Sequence, residues 1–174
     1  MEVMSRFNLS KREIVALMGA HSVGEAKDTT SGMQGWWSAT NRILDNAFFR
    51  NMLNSELAYK QIPINVTGFQ TKYQWNATAD WCVKDKRTNQ CRPNFSVQNK
   101  RFMMNSDMCL HLNFTVDASG KTNCDYNTCP INSETNSYVE EFAKNEPEFK
   151  KVFGEAFEKM VQYGYNGDNA LRDL

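Results

Sequence analysis

The C-terminal part of the chain carries its longest amphipathic pattern, and this pattern limits the folds available to it. Asn145 precedes Pro147, and apolar residues then recur every three to four positions until Gly164. These apolar residues are Phe149, Val152, Phe153, Ala156, Phe157, Met160 and Val161. Proline is tolerated in a first helical turn, and the spacing places the apolar side chains on one helix face. Such a face needs a core to pack against, so a mainly α fold is predicted.

Three further helices follow from the same reasoning. Ser10 and Glu13 have the spacing of a capping box and start a helix that Gly24 can end. His21 falls at the end of the apolar face of this helix, which predicts an inward-pointing side chain. Residues 41–57 carry a second apolar stripe and are predicted to form one helix, and residues 137–143 a short one.

The middle of the chain has a different sequence pattern. Residues 61–101 show no helical period and contain turn-forming residues, which indicates an irregular insertion within a single domain spanning residues 1–174. A β-leaning stretch at residues 69–75 predicts a small β-hairpin there. We expect the longer segment 65–129 to lie on the surface.

Composition excludes several classes of protein. The chain has 174 residues, with 20 Lys and Arg balanced by 20 Asp and Glu, which argues against a strongly basic nucleic-acid binder. No apolar run approaches the roughly 18 residues of a membrane span, so no transmembrane segment is predicted. A folded domain of ordinary size remains.

Cysteines and glycosylation sequons point to an oxidising compartment. None of the five cysteines forms a CxxC pair, which argues against a zinc site built from them. They are Cys82, Cys91, Cys109, Cys124 and Cys129. Asn-x-Ser/Thr sequons occur at Asn8, Asn65, Asn76, Asn94 and Asn113. We expect Cys82–Cys91 and Cys124–Cys129 bridges and glycans on at least two of Asn65, Asn76, Asn94 and Asn113. We also expect a secretory or extracellular location, with an organelle as the alternative.

Two histidines limit any histidine-based site to His21 and His111. A histidine on an apolar helix face is most often a structural residue, and spacing alone does not distinguish the two roles. The residues around His21 do. Ordered blocks of the chain resemble the haem peroxidases of the plant, fungal and bacterial superfamily, and are most similar to class I cytochrome c and ascorbate peroxidases. The blocks are LMGAHSVG at 17–24, SGMQGWW at 31–37, LDNAFF at 44–49, FMMNSD at 102–107, VEEFAK at 139–144 and residues 149–160.

The resemblance implies a fold, a cofactor and a set of site residues. The fold would be the proximal, C-terminal half of the peroxidase domain. His21 would be the axial ligand of the iron of haem b, with Asp107 hydrogen-bonded to its other ring nitrogen. Ala20, Gly24, Lys27 and Met104 would lie against the haem. Lys27 would contact a propionate, whereas Glu25 replaces a basic residue of the family and cannot.

Two of these residues also have simpler interpretations. Trp37 falls where class I peroxidases keep a tryptophan beneath the haem, and a buried tryptophan is otherwise ordinary core. Trp36, beside it, stands where the family has proline. Asp107 follows Ser106 at what reads as a helix start, so Asp107 can cap that helix and also hold His21.

A cation site is also implied. Ser22, Ser38, Thr40, the carbonyl of Ile43 and Asp45 match the positions that bind a cation in ascorbate peroxidases. Hard oxygen ligands with one carboxylate suit K⁺ or a weak Ca²⁺ site. Alternatively, Ser38 and Thr40 simply cap a helix that contains Asp45, and both interpretations remain open at this stage.

The family's distal Arg-x-x-Trp/Phe-His pattern is absent from the 174 residues, and His111 is expected to be structural. Residues 2–6 resemble the helix that joins the two halves of the domain. We therefore expect a haem peroxidase that reduces hydrogen peroxide with an unidentified electron donor and needs a distal half from elsewhere. Without that half, we expect the apolar faces of residues 14–21 and 149–161 to be open. The alternatives are an inactive, peroxidase-derived extracellular glycoprotein and a binding module without haem.

Overall fold

A computed structural model describes residues 7–65, 70–78 and 101–163 of the chain. Its architecture is mainly helical, as predicted, with two small antiparallel sheets. The helices are α1 (Lys11–Met18), α2 (Asp28–Ser31), α3 (Ala47–Leu53), α4 (Asn105–Met108), α5 (Asn136–Lys144) and α6 (Glu146–Gln162). The strands are β1 (Glu25–Ala26), β2 (Gly35–Trp36), β3 (Tyr59–Ile64), β4 (Lys72–Ala77) and β5 (Phe102–Met103).

The first helix begins as its sequence predicts. The Ser10 hydroxyl accepts from the backbone N–H of Glu13, while the Glu13 carboxylate accepts from the backbone N–H of Ser10, so the capping box is complete. After Met18 the chain tightens into a 3₁₀ turn, Gly19–Ser22, that carries His21. The tighter turn rotates His21 away from the straight continuation of the α1 stripe.

The prediction of one helix over residues 41–57 is wrong. Only α3 is α-helical in this stretch, because side chains near its ends bind backbone groups instead of continuing the helix. Asp45 accepts from the backbone N–H of Ala47 at 2.8 Å and thereby starts α3. At the other end Asn54 accepts from the N–H of Glu56 and begins a separate 3₁₀ turn, Ser55–Leu57.

The C-terminal helices are confirmed. Asn145 ends α5 and caps α6 by accepting from the N–H of Glu148, with Pro147 in the first turn of α6. Helix α6 packs along α1, where Ile14, Leu17 and Ala156 share a small apolar cluster with Leu9. The predicted end of α6 at Gly164 lies outside the described residues.

The small hairpin is also confirmed, but it is not a surface feature. Strands β3 and β4 pair antiparallel from Tyr59 opposite Ala77 to Ile64 opposite Lys72, and β5 adds to the other edge of β4. Strand β4 is therefore central, and Trp75 is fully buried on its inner face. The expectation that residues 65–129 lie on the surface is wrong for this strand, as it is for the buried Met108, whose backbone N–H helps form α4.

One of the two expected disulfides is present. Cys124 and Cys129 are bridged, with a Cα–Cα distance of 5.2 Å. Cys82 and Cys91 lie outside the described residues, as does most of the predicted insertion at 61–101. Cys109 is half-buried and unbridged, and burial raises the pKa of its thiol.

The apolar faces expected to be open are largely covered. Ile14, Leu17, Phe149 and Val152 are buried, because α1, α3, α5 and α6 pack on one another. Only the end of the α6 stripe, with Phe157 and Val161, is exposed. Within the described ranges, no helix is long and apolar enough to cross a membrane.

The approach of α6 to the turn after α1 depends on the missing side chain of Gly19. A Cβ there would lie 2.5 Å from Cε2 of Phe149 and 2.9 Å from Cε2 of Phe49. We therefore expect Gly19→Ala to lower the free energy of unfolding by about 1–3 kcal/mol, the usual cost of overpacking a core. Denaturant unfolding of the purified chain measures this change.

A matched control lies in α6. A Cβ at Gly154 would meet nothing within 4 Å. Gly154→Ala should leave stability unchanged or raise it by up to about 1 kcal/mol, since alanine is the better helix former. Equal losses in the two variants would contradict this account of the packing.

Candidate functional site

His21 is anchored through one ring nitrogen and accessible at the other side of the ring. Its Nδ1 lies 2.9 Å from Oδ1 of Asp107, and its side chain is 30% exposed. Within the described residues, Nε2 has no hydrogen-bond partner. Donation from Nδ1–H to a carboxylate places the unprotonated lone pair on Nε2. His21 therefore presents a ring nitrogen that is able to bind a metal.

Asp107 joins three segments of the chain. Its carboxylate is fully buried in α4, and it accepts from His21, from the indole N–H of Trp37 at 2.7 Å and from the backbone N–H of Met104 at 2.7 Å. The expected hydrogen bond to His21 is thus present. The expected capping role is present as well, although α4 begins at Asn105 and Ser106 is not its cap.

Trp37 lies between His21 and the core. Its ring stacks on the imidazole, with 4.4 Å between ring centroids and 20° between ring planes, and it contacts Phe102 at 4.5 Å. Its carbonyl accepts from the side-chain amide of Asn51 at 3.0 Å, and Asn51 in turn accepts from Arg101 at 2.8 Å. The orientation of Trp37 is therefore fixed at both its indole and its backbone.

Sequence reasoning missed Asn51. The signal was a polar residue inside the apolar stripe of α3, since a buried amide needs hydrogen-bond partners.

Several oxygen atoms converge beside the His21 turn. The Ser38 hydroxyl donates to the Ser22 carbonyl at 3.1 Å and lies 3.2 Å from that of Thr40, which donates to Asp45 at 2.7 Å. The Ser22 hydroxyl is fully buried, with no hydrogen-bond partner among the described residues. Since Asp45 precedes α3 and itself accepts from the Ala47 N–H, Ser38 and Thr40 do not cap this helix.

The other residues predicted for the site are exposed or half-buried. Ala20 is exposed, and Gly24 has a φ of 99°, which strains any other residue. Lys27 is exposed and lies 3.5 Å from the Glu25 carboxylate. The Ile43 side chain is exposed, and Met104 is half-buried and contacts Asp107 through its backbone.

His111 is structural, as expected. It is 9% exposed, and its Nδ1 lies 2.7 Å from the side-chain oxygen of Asn136. No cluster of three or more His, Cys, Asp or Glu residues suited to a metal ion occurs in the described part of the chain. Any metal at His21 would therefore need most of its ligands from another source.

The fold is mainly helical, and the candidate site holds a histidine that is anchored by a carboxylate and stacked on a buried indole. Comparison with known proteins identifies the class of protein that these features define. The family model described as Peroxidase matches residues 1–145, and the chain belongs to this family.

Individual relatives agree with this assignment at low identity. A mitochondrial cytochrome c peroxidase of Pyricularia oryzae is 30% identical over 103 residues, which cover 58% of this chain and 28% of the relative. A Candida albicans protein whose name includes the words heme-binding peroxidase is 26% identical over 163 residues, which cover 94% of this chain and 41% of the relative. A cytosolic L-ascorbate peroxidase of Arabidopsis thaliana is 36% identical over 55 residues, which cover 32% of this chain and 22% of the relative. The chain thus spans less than half the length of these relatives.

The buried carboxylate provides a test of the site without any cofactor. Asp107→Ala leaves the indole N–H of Trp37 and the N–H of Met104 without their acceptor, and each unsatisfied buried donor costs about 1–3 kcal/mol. We expect the free energy of unfolding to fall by about 2–5 kcal/mol. Asp107→Asn keeps one oxygen acceptor, so its free energy of unfolding should fall by less. Urea unfolding of both variants measures the order, and equal stability of Asp107→Ala and the wild type would contradict the described hydrogen bonds.

Proposed function

We propose that this chain supplies the iron-binding side of a haem-dependent peroxidase that reduces hydrogen peroxide at the expense of an external electron donor. The observation that carries the proposal is the anchored His21, whose Nδ1 is held by Asp107 while Nε2 keeps its lone pair. Membership of the peroxidase family supports it.

The residues around His21 fit a large, flat, mainly apolar group. His21 presents a nitrogen ligand, Ala20 and Val23 beside it are exposed, and Gly24 adds no side chain. Imidazole nitrogen is an ordinary axial ligand of haem iron. Bound haem would supply the iron that takes up the two oxidising equivalents of hydrogen peroxide. Lys27 would bind a propionate through its ammonium group, because it is the cation nearest in sequence after His21.

Asp107 would act through His21. A carboxylate on Nδ1–H fixes the tautomer and orientation of the imidazole and makes Nε2 a stronger electron donor. Stronger donation from His21 would lower the reduction potential of bound iron, which is the chemistry that favours cleavage of an O–O bond. Asp107 is therefore proposed as a positioning residue.

Trp37 is proposed as the residue that gives an electron to the oxidised cofactor. Its ring is stacked on His21, and its N–H donates to the buried Asp107 carboxylate. Loss of an electron leaves positive charge on the indole, and a carboxylate at hydrogen-bond distance stabilises that charge in a buried, low-dielectric environment.

A monovalent or weakly bound divalent cation is proposed between Ser22 and Asp45. The unpartnered hydroxyl of Ser22, the hydroxyls of Ser38 and Thr40 and one carboxylate form the oxygen set that K⁺ or Ca²⁺ prefers. The carbonyl of Ile43 would complete it.

The principal prediction concerns His21. We expect His21→Ala to abolish stable haem binding, because it removes the histidine that is proposed to bind the iron. The matched control is His111→Gln, which changes the other histidine and should keep haem bound, since His111 contacts Asn136 instead of the site. Haem titration followed by visible absorption measures both, and an unchanged spectrum in His21→Ala would refute the assignment.

Peroxide turnover is expected to need a second segment. Positioned acid–base groups contribute about 10²–10⁴-fold in rate, and the sequence contains no Arg-x-x-Trp/Phe-His pattern to provide them. We propose that residues outside this sequence supply a distal arginine and histidine. Residues 1–174 loaded with haem should consume peroxide with guaiacol slowly, and a distal fragment should restore turnover. Turnover by residues 1–174 alone at the rate of intact relatives would contradict this.

The disulfide and the glycosylation sequons are the basis for a proposal about the cellular compartment of the protein. The Cys124–Cys129 bridge and the exposed Asn113 of an Asn-x-Thr sequon support the secretory pathway, whereas the name of the Pyricularia relative supports an organelle. We expect a glycan on Asn113 and none on Asn76, because the half-buried Asn76 lies in central β4 and accepts from Gln74. Peptide mass spectrometry with and without deglycosylation checks this, and a bare Asn113 would favour the organelle.

A further inference from the structure

Two consecutive tryptophans, Trp36 at the end of the short strand β2 and Trp37 directly after it, have different surroundings. The Cα atoms of neighbouring residues are about 3.8 Å apart. Trp37 faces inward and stacks on His21, while the half-buried Trp36 donates its indole N–H to the exposed Glu25 at 2.7 Å. Trp36 and Trp37, which are adjacent in the chain, therefore connect the imidazole of His21 with the protein surface.

The outer indole borders a cleft. Strands β1 and β2 pair with Glu25 opposite Trp36, and residues 25–29 and 34–36 line a space of about 210 Å³. The lining combines the indole of Trp36 with polar Thr29 and Gln34 and with three charged residues, Glu25, Lys27 and Asp28. An aromatic surface beside hydrogen-bonding groups suits a single-ring aromatic molecule that carries a hydroxyl group.

From this arrangement we infer that Trp36 is the entry point for electrons from a small phenolic donor bound in the β1–β2 cleft, which passes them to Trp37. The inference rests on the proposed peroxidase function and names the donor class. Haem binding does not account for the hydrogen bond from Trp36 to Glu25, since Glu25 cannot bind a propionate. A route for one electron and one proton does account for it.

One electron and one proton leave Trp36 and are then restored to it. Trp37, once oxidised by one electron, takes an electron from Trp36, and the proton on Nε1 of Trp36 moves to the Glu25 carboxylate that already accepts its hydrogen bond. The phenol then gives one electron to Trp36, Glu25 returns the proton to Nε1, and the phenol releases its own hydroxyl proton to water as it becomes a phenoxyl radical. The oxidising equivalents come from hydrogen peroxide, so that H₂O₂ + 2 ArOH gives 2 H₂O + 2 ArO•.

Glu25 is suited to this exchange by its charge. The hydrogen bond from Trp36 lowers the pKa of Glu25 below its ordinary value, and Lys27 and Arg42 act in the same direction. The carboxylate is therefore ionised at neutral pH and able to accept the indole proton.

Trp36→Phe in the haem-loaded protein, completed by the distal fragment that restores turnover, is the direct test, because it keeps an aromatic ring in the cleft but removes the N–H and the readily oxidised indole. With guaiacol as the donor, we expect kcat to fall about tenfold or more, while the rate at which the protein reacts with peroxide before donor is added stays unchanged. Glu25→Gln should lower kcat as well. Tyr73→Phe is the control, since Tyr73 lies in β4 and does not line the cleft, and it should match the wild type.

A second readout does not depend on turnover rates. After peroxide and a nitroso spin trap are added without donor, peptide mass spectrometry should find the adduct on Trp36 in the wild type and not at position 36 in Trp36→Phe. If the wild type reacts with peroxide but carries no adduct on Trp36, and Trp36→Phe oxidises guaiacol at the wild-type rate, the inference is overturned and the proposed function stands. If the wild type does not react with peroxide even when the distal fragment is present, the proposed function fails and the electron route fails with it.

Discussion

The site depends on one buried carboxylate. Asp107 is removed from solvent, yet its two oxygens accept hydrogen bonds from an imidazole, an indole and a backbone N–H. Burying a carboxylate costs free energy unless it is fully hydrogen-bonded, so the three donors are needed for α4 to form where it does. The same bonds fix the tautomer of His21 and the orientation of Trp37. Stability and the proposed iron-binding role therefore depend on the same atoms.

The fold brings these donors together from distant parts of the chain. His21 comes from the 3₁₀ turn after α1, Trp37 follows β2, and Asp107 lies in α4, beyond the hairpin formed by β3 and β4. Close packing holds the turn in place, since Phe149 of α6 and Phe49 of α3 occupy the space that a side chain at Gly19 would need. The second half of the chain thus supplies the carboxylate and, together with Phe49, the support for the histidine.

Local sequence patterns predicted the elements whose signals are local. The capping box at Ser10, the start of α6 at Asn145 and the short Cys124–Cys129 bridge all involve residues a few positions apart, and all three are confirmed. The single helix over residues 41–57 was wrong because Asp45 and Asn54 bind backbone groups and interrupt an apolar period that otherwise continues. The burial of Trp75 depends on β5 pairing with β4, a contact between segments more than twenty residues apart that no periodicity reveals.

The site could be predicted only in part for the same reason. Resemblance to the peroxidases indicated His21, Asp107 and Trp37 as a set, whereas the residues alone left His21 as a structural histidine. Asn51 was missed, because its contact with the Trp37 carbonyl follows from the packing of α3 and not from any motif.

The central claim is that Nε2 of His21 binds haem iron. Electron–nuclear double resonance of the ferric, haem-loaded protein labelled with ¹⁵N-histidine measures this bond directly. The account predicts a strong ¹⁵N coupling from a single histidine nitrogen, retained when His111 is replaced. Absence of a histidine coupling, or a coupling that is lost with His111, would contradict it.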